Sequence, residues 1–228
     1  ENRGPVPFVG SGGRRFYSAE QMSELRDYLD KNGRSDAKQY VPHRKGEEKL
    51  QVISIVNFKG GSGKTTTTAH LAQHLALTGH RVLTIDLDPQ ASLSALHGFQ
   101  PELDKNPSLY DAIRYEDAVP IDEVIRETNF PLLDIIPGNL ELQEYEYDAP
   151  LAMQSGAQDG KRFFVRIARA LEAVNDRYDV VVIDCPPQLG FLTMSALSAA
   201  TAVLVTIHPQ MLDMMSMCQF LLMTSNLL

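Results

Sequence analysis

The sequence predicts an α/β protein built on a doubly wound, mostly parallel sheet. Three observations carry this: several short, almost continuously apolar strands, helical patterns filling the gaps between them, and a glycine-rich loop set between one such strand and the helix after it. Strands that are apolar at nearly every position are buried on both faces, which a parallel sheet covered by helices on both sides provides.

Taken in order, residues 1–16 are rich in Gly, Pro and Arg and read as flexible. Ser18 with Gln21 three positions on forms a capping box, and Met22, Leu25 and Leu29 recur at helical spacing, so Ala19 to about Asp30 is expected to be a short amphipathic helix stopped by Asn32-Gly33. Residues 34–50 are charged, carry Pro42 and read as a linker. From Gln51 the texture changes. Gln51–Phe58 is a β-branched strand, the glycine loop follows, and a helix runs from Lys64 to about Thr78, where Gly79 ends it. Arg81–Leu87, Asp179–Ile183 and Ala202–Ile207 are further strands, with a shorter one at Leu132–Ile136. Helical patterns occupy 109–127, 161–175 and 191–200, and the stretch from Met211 is helix-like. The division is therefore a basic N-terminal extension, 1–49, and a nucleotide-binding domain, 50–228.

The 228 residues, 43% hydrophobic, suffice for one good-sized core with something left over. The formal charge of −8 excludes a wholly basic nucleic-acid coat. Residues 1–50, however, hold ten Lys and Arg against eight Asp and Glu, whereas the remainder is strongly acidic, so the first fifty residues have a different task. Arg14, Arg15, Lys31, Arg34, Lys38, Arg44 and Lys45 give them a basic face able to meet phosphates. A helix-turn-helix there needs a second helix near Arg34–Tyr40; a solvated linker is the competing reading. Two cysteines, Cys185 and Cys218, make no disulfide framework, and no apolar run reaches spanning length, so a cytoplasmic protein without a membrane partner is expected. No initiating Met is present and the last helical stretch reaches Leu228 without a cap, which reads as part of a longer protein.

Three clusters carry chemistry. Lys59-Gly60-Gly61-Ser62-Gly63-Lys64-Thr65-Thr66 joins a strand to a helix. A phosphate chain needs several backbone N–H groups pointing inward, side chains would block that approach, and the helix N-terminus adds partial positive charge. Lys64 can then reach the β- and γ-phosphates of ATP, and the Thr65 hydroxyl can bind Mg²⁺. Asp86-Leu87-Asp88-Pro89-Gln90 ends the next strand, where carboxylates face the ligand crevice of an open α/β sheet; a helix N-cap is the competing reading for either Asp. Val180-Val181-Val182-Ile183-Asp184-Cys185-Pro186-Pro187 fits a strand whose terminal carboxylate holds Mg²⁺, with a stiff exit loop. Cys185 reads as a packed residue. His70 and His74 have i, i+4 spacing without the Glu of a zinc motif, so they read as surface or packing histidines, and the cluster Met211, Met214, Met215 and Met217 reads as adaptable core.

Phe58 stands where the usual loop has its first glycine, and Lys59 is an extra lysine directly before Gly60. This form resembles the deviant Walker A loop of the ParA/MinD family of ATPases, and the resemblance covers roughly Leu50 to Leu228 through three independent motifs. The segments around Val56–Ala72, Ile85–Gly98 and His208–Leu221 are most similar to the partition ATPases of RepABC plasmids. The resemblance implies a P-loop fold with ATP and Mg²⁺ as cofactors, and ATP hydrolysis that drives plasmid partition through an ATP-bound homodimer. It also implies nonspecific binding to DNA, hence a nucleoid association, stimulation by a ParB-type centromere-binding protein (RepB), and repression of its own operon. Among residues it implies that Lys59 crosses a dimer interface to the partner's nucleotide, that Asp88 orients the attacking water, and that Asp86 supports the metal side beside Thr65 and Asp184. An ATP-gated repressor with incidental turnover and a MinD-like positioning ATPase are the alternatives.

Overall fold

The computed structural model describes residues 4–32, 40–154 and 160–225. Near the N-terminus Phe8–Val9 (β1) and Arg15–Phe16 (β2) pair antiparallel, so part of the segment expected to be flexible forms a small ladder, and Ala19–Asn32 (α1) follows. The predicted capping box is made: Gln21 N–H donates to Ser18 Oγ and Ser18 N–H to Gln21 Oε1. Residues 33–39, which hold all but Tyr40 of the Arg34–Tyr40 stretch that a helix-turn-helix would need as its second helix, lie outside the described residues.

The main sheet holds β3 (Gln51–Val56), β4 (Val82–Asp86), β5 (Arg126–Glu127), β6 (Leu133–Ile136), β7 (Val180–Asp184) and β8 (Ala202–Val205). Their order is β5-β6-β4-β7-β3-β8, all neighbours parallel except β5, which runs antiparallel to β6. The described α-helices after α1 are α2 (Lys64–Thr78), α3 (Ser92–Leu96), α4 (Pro101–Asp104), α5 (Leu109–Ile113), α6 (Leu142–Gln154), α7 (Arg166–Glu172), α8 (Phe191–Ala199) and α9 (Met211–Ser225).

Strand alternation divides the core into two layers. Val52, Val56, Leu83, Ile85, Val181 and Ile183 face one way and pack with Ile113 of α5, Tyr145 of α6, Ile167 of α7 and Leu192 of α8. Ile55, Val82, Val180 and Val182 face the other way, against Ala72 and Ala76 of α2, whose small side chains let that helix lie close to the sheet. Each large aliphatic chain removed from water this way contributes about 1.5–3 kcal/mol. Asp86 and Asp184 share the parity of Val82 and Val182, so both project from the sheet toward the α2–α3 side.

Helix α2 occupies the predicted span and ends at Gly79, whose φ of 105° is left-handed, with its N–H returned to the carbonyls of Leu75 and Ala76. Elsewhere the boundaries move. The helix expected over 109–127 is only α5: Arg114 is already extended, Pro120 offers no N–H, and Arg126–Glu127 pairs as β5. The helix expected over 161–175 is split, with a 3₁₀ segment, Gly160–Val165, before α7. Helix α6 was not expected, since Pro150 and the interleaved Glu144, Glu146, Tyr147 and Asp148 obscure the spacing of its buried Leu142, Tyr145 and Ala149.

The stretch read as a linker is in part docked. Val41 and Leu50 are buried, and Arg44 donates to the carbonyls of Tyr178 and Asn175 while its N–H meets Asp179 Oδ1 at 2.9 Å. Among the described residues no helix is long and apolar enough to cross a membrane.

Candidate nucleotide-binding site

Parallel register sets the C-terminal ends of three strands side by side: Ile55 pairs with Asp184, and Asp184 with Asp86. The glycine loop leaves β3 at this level and enters α2. Gly61 (φ 75°) and Gly63 (φ 86°) adopt left-handed backbone that side chains disfavour. A Cβ built on Gly60, Gly61 or Gly63 would meet nothing within 4 Å, so no internal packing demands these glycines and the space over the loop is open for a ligand. The loop's two shoulders are tied to the end of β8: Asn57 Nδ2 donates to the Thr206 carbonyl, and Ser62 Oγ lies 3.1 Å from Thr206 Oγ1.

Lys64 is buried at the start of α2, its Nζ 3.5 Å from the Lys59 carbonyl. Burial lowers its pKa, and the charges of Asp184 and Asp88 oppose that. Asp184 receives Thr68 Oγ1 at 3.3 Å on Oδ1, and the Thr65 hydroxyl is close enough to favour its charged form. Burial pushes its carboxyl up to about 6, with the nearby Asp88 adding to the shift and Thr65, Lys64 and Thr68 opposing it. Its Oδ2 is buried without a partner. An orphaned carboxylate oxygen beside a threonine hydroxyl suits a hard divalent cation that takes its other ligands from phosphate and water. The residues present therefore fit Mg²⁺.

Asp88 is half-buried, accepts the Gln90 N–H at 3.0 Å, and is near enough to Asp184 and Lys64 to shift both. Asp88 closes this turn and is not the N-cap of α3, which is Ala91. Asp86, expected on the metal side, has both carboxylate oxygens engaged within the protein. Its Oδ2 accepts Ser94 N–H at 2.8 Å and Ser94 Oγ at 2.7 Å, and its Oδ1 accepts Asp88 N–H at 3.2 Å. Burial still drives its carboxyl up to about 7. With both oxygens engaged, Asp86 shapes the turn that carries Asp88. Ser94 Oγ also accepts the Gly138 N–H, and a Cβ on Gly138 would lie 2.6 Å from the Asp86 carbonyl, so this glycine is needed for close approach.

Lys59 is ion-paired to Asp213 of α9, with its backbone N–H on Asn57 Oδ1 at 3.0 Å. Thr66 is exposed on the first turn of α2. Cys185 is fully buried, and its thiol pKa is raised by burial and by the adjacent Asp184. His70 and His74 are exposed on α2. The methionine cluster is corrected: Met211, Met214 and Met215 are exposed, not core. Among the described residues no group of three or more His, Cys, Asp or Glu could hold a metal unaided.

Asn57, Thr68, Ser94, Glu146 and Asp213 were not singled out from the sequence. Thr68 stands one turn after Lys64, a findable signal. The others reach the site from distant elements. Glu146 of α6 accepts the N–H groups of Phe191 and Leu192 at 2.8 and 3.1 Å, capping α8 directly after the Asp184 loop, and a Cβ on Gly190 would collide with it at 2.3 Å.

A strand, an open glycine cradle, a helix carrying a buried lysine, and an adjacent strand ending in an under-satisfied carboxylate define a phosphate-loop nucleotide-binding protein. The family model described as AAA domain matches residues 50–227, and the chain belongs to that family, on its ParA-type branch. It is 71% identical, over 230 aligned residues, to a protein named "Putative replication protein A" from Sinorhizobium fredii, covering 100% of this chain and 56% of that one. It is 39% identical over 161 residues to the chromosome partitioning protein ParA of Caulobacter vibrioides, covering 70% of this chain and 56% of the relative. The chain thus spans just over half the length of these curated relatives. Among solved structures it is similar to cobyrinic acid a,c-diamide synthase from Mycobacterium smegmatis with bound ADP and magnesium, with a TM-score of 0.68 and 33% identity over 78% of this chain and 67% of that one.

Proposed function

We propose that this chain is the nucleotide-binding unit of a ParA-type ATPase that partitions plasmid DNA. The observation that carries the reading is the orphaned Oδ2 of Asp184, buried beside Thr65 and Lys64 under an open glycine cradle. The relatives agree with it, since one is named as a chromosome partitioning protein and a structural neighbour holds ADP and magnesium.

In this reading the N–H groups of Gly60–Thr66 and the N-terminus of α2 bind the phosphates of ATP. Lys64 neutralises the β- and γ-oxygens, its desolvation strengthening the attraction. Thr65 and Asp184 hold Mg²⁺, which when bound neutralises charge developing on the phosphates. Asp88, steadied by Asp86 and Ser94, orients the attacking water. Lys59 reaches the nucleotide of a second subunit, so ATP links hydrolysis to formation of a homodimer. The dimer binds DNA nonspecifically at the nucleoid in the cytoplasm, and a ParB-type protein (RepB) stimulates turnover. The basic residues of 1–49 supply an operator-binding function. The decisive experiment measures ATPase rate in the full-length protein with and without nonspecific DNA and ParB-type partner. Stimulation by both supports the reading, and a rate indifferent to either argues against partition.

A further inference from the structure

Helix α8 begins without a side-chain cap of its own. Its N-cap is Gly190, in an extended conformation that a capping Ser or Asp would also take. The cap comes instead from α6: Glu146 Oε2 accepts the Phe191 N–H at 2.8 Å and Oε1 the Leu192 N–H at 3.1 Å. A negative charge there suits the partial positive charge of a helix start. Gly190 leaves the room for it, since a Cβ at that position would collide with the Glu146 carboxylate. A Ser at 190 would cap α8 from within, whereas here the cap is delivered by another helix. The loop between Asp184 and α8 is thereby tied to α6. Pro186 and Pro187 have no N–H with which to tie it, and its far end is held by the Glu146 cap and by Thr193 Oγ1, which donates to the Gln188 carbonyl at 2.6 Å.

The start of α6 stands against the other half of the site. Pro137-Gly138-Asn139 leads from β6 into α6, and Gly138 lies on the Asp88 turn. Its N–H donates to Ser94 Oγ at 3.0 Å, and a Cβ on it would lie 2.6 Å from the Asp86 carbonyl oxygen and 3.1 Å from that of Asp88. Asn139 continues into the helix, its carbonyl accepting the Leu142 N–H at 3.1 Å. Leu142, Tyr145 and Ala149 are fully buried, so α6 cannot slide or rotate without disturbing a close-packed core. Gly138 and Glu146 are therefore two points on one rigid element, one touching the turn of Asp88 and the other the loop after Asp184.

We propose that Glu146 is a positioning residue for ATP hydrolysis: through α6 it holds the loop after Asp184 in register with the turn that carries Asp88. The proposal rests on the reading of Asp88 and Asp184 as the water-orienting and metal-holding carboxylates. Pairing of β4 with β7 aligns the strand ends, Asp86 with Asp184, but Asp88 and residues 185–190 lie beyond that ladder. Helix α6 bridges them there. Aligning a water with a phosphoryl group is sensitive to small displacements of the groups around it. Phosphate binding draws on the glycine loop and Lys64, carried by β3 and α2, so loss of Glu146 should act on turnover and spare affinity.

ATP turnover and nucleotide affinity of the full-length protein, with nonspecific DNA present, test this. Glu146→Ala should lower kcat roughly tenfold to hundredfold, the scale of a misplacement of about an ångström, with the Kd for MgATP within about twofold of wild type. It should also melt lower, because α8 has lost its cap. Adding Gly190→Ser separates capping from positioning: with the carboxylate gone a Cβ has room, and serine caps α8 from within. Glu146→Ala/Gly190→Ser should regain melting temperature and stay slow. Recovery of kcat in that double variant overturns the proposal and leaves Glu146 a cap alone, and so does a wild-type kcat in Glu146→Ala. Should Glu146→Ala not fold, or the double variant regain neither property, Glu146→Gln decides, since it keeps the volume and one acceptor oxygen. A reduced kcat at unchanged Kd then supports the proposal, and a wild-type kcat or failure to fold overturns it. If Asp88→Ala turns over as wild type, the reading of the site falls and the proposal with it. If Asp88→Ala is inactive while Glu146→Ala keeps its kcat, the proposal alone falls.

Discussion

Two carboxylates buried side by side at the ends of β4 and β7 are a thermodynamic burden, which Ser94 and the Asp88 N–H relieve in part for Asp86 and which a bound cation would relieve for Asp184. Asp184 and Asp86 have folded pKa values raised to about 6 and about 7 from an ordinary 3.8, so the folded protein binds their protons more tightly than the unfolded chain does. The stability they contribute is fully present below pH ~4 and is lost as pH rises through the folded values. Asp184→Asn should therefore raise the apoprotein's melting temperature at pH 7, by roughly 2–4 °C per kcal/mol recovered for a chain of this size, while removing Mg²⁺-dependent ATP turnover. A differential scan with and without MgATP checks both, and an unchanged or lower melt contradicts the burden. Lys64→Ala removes the buried ammonium itself. We expect ATP affinity to fall roughly hundredfold or more, read by fluorescent-nucleotide titration, since the charge acts in a desolvated site.

Elements are joined here by a few carboxylates that accept backbone N–H groups from a neighbouring segment. Glu146 ties α6 to the first turn of α8, immediately after the loop that leaves Asp184. Glu146→Ala should cost about 1–3 kcal/mol in chemical denaturation, the usual penalty for stranding buried donors. Asp179 does the same at the opposite end of the sheet. Burial raises its pKa, but Arg81 and the N–H groups of Arg44 and Arg81 outweigh that and hold it at about 2. A depressed folded value means the stabilisation is present above pH ~4 and disappears as pH falls toward 2. In wild type this acid-side loss should be about 1–2 kcal/mol after allowance for solvent screening, and Asp179→Asn should abolish it. Because Arg44 is the only described link of this kind from residues 40–50 to Asp179, proteolysis near residue 44 should also accelerate in that variant.

At the scale of the whole molecule, the sheet order places β7 between β3 and β4, which brings three motifs far apart in the chain to one edge. The α/β class, α2 and the four inner strands were legible because apolar runs and a glycine loop are local signals. Helix α6 was not, since its buried Leu142, Tyr145 and Ala149 are interleaved with Glu and Asp that serve other elements. Lys64, Thr65 and Asp184 were legible as a motif. That Asp86 is consumed by Ser94, and that Lys59 rests on Asp213, depends on tertiary contacts 8 and 154 positions away, which no local pattern encodes. If MgATP occupies the proposed site it binds the folded chain and not the unfolded one, so the melting temperature should climb with nucleotide, by about 2.7 kcal/mol of added stability at a hundredfold excess over Kd. A melt insensitive to MgATP would contradict the assigned site.

The burial of Cys185 beside Asp184 makes this thiol a reporter of the site's opening. A sulfhydryl reagent modifies thiolate that it can reach, and Cys185 offers neither access nor ionisation in the closed protein, whereas Cys218 is exposed. Two kinetically separate labelling events should therefore appear: a prompt one at Cys218 and a slow one at Cys185, paced by how often the β7 end breathes. Slowing of the second event alone by nucleotide would give a clock for the catalytic edge, with the first as its internal standard.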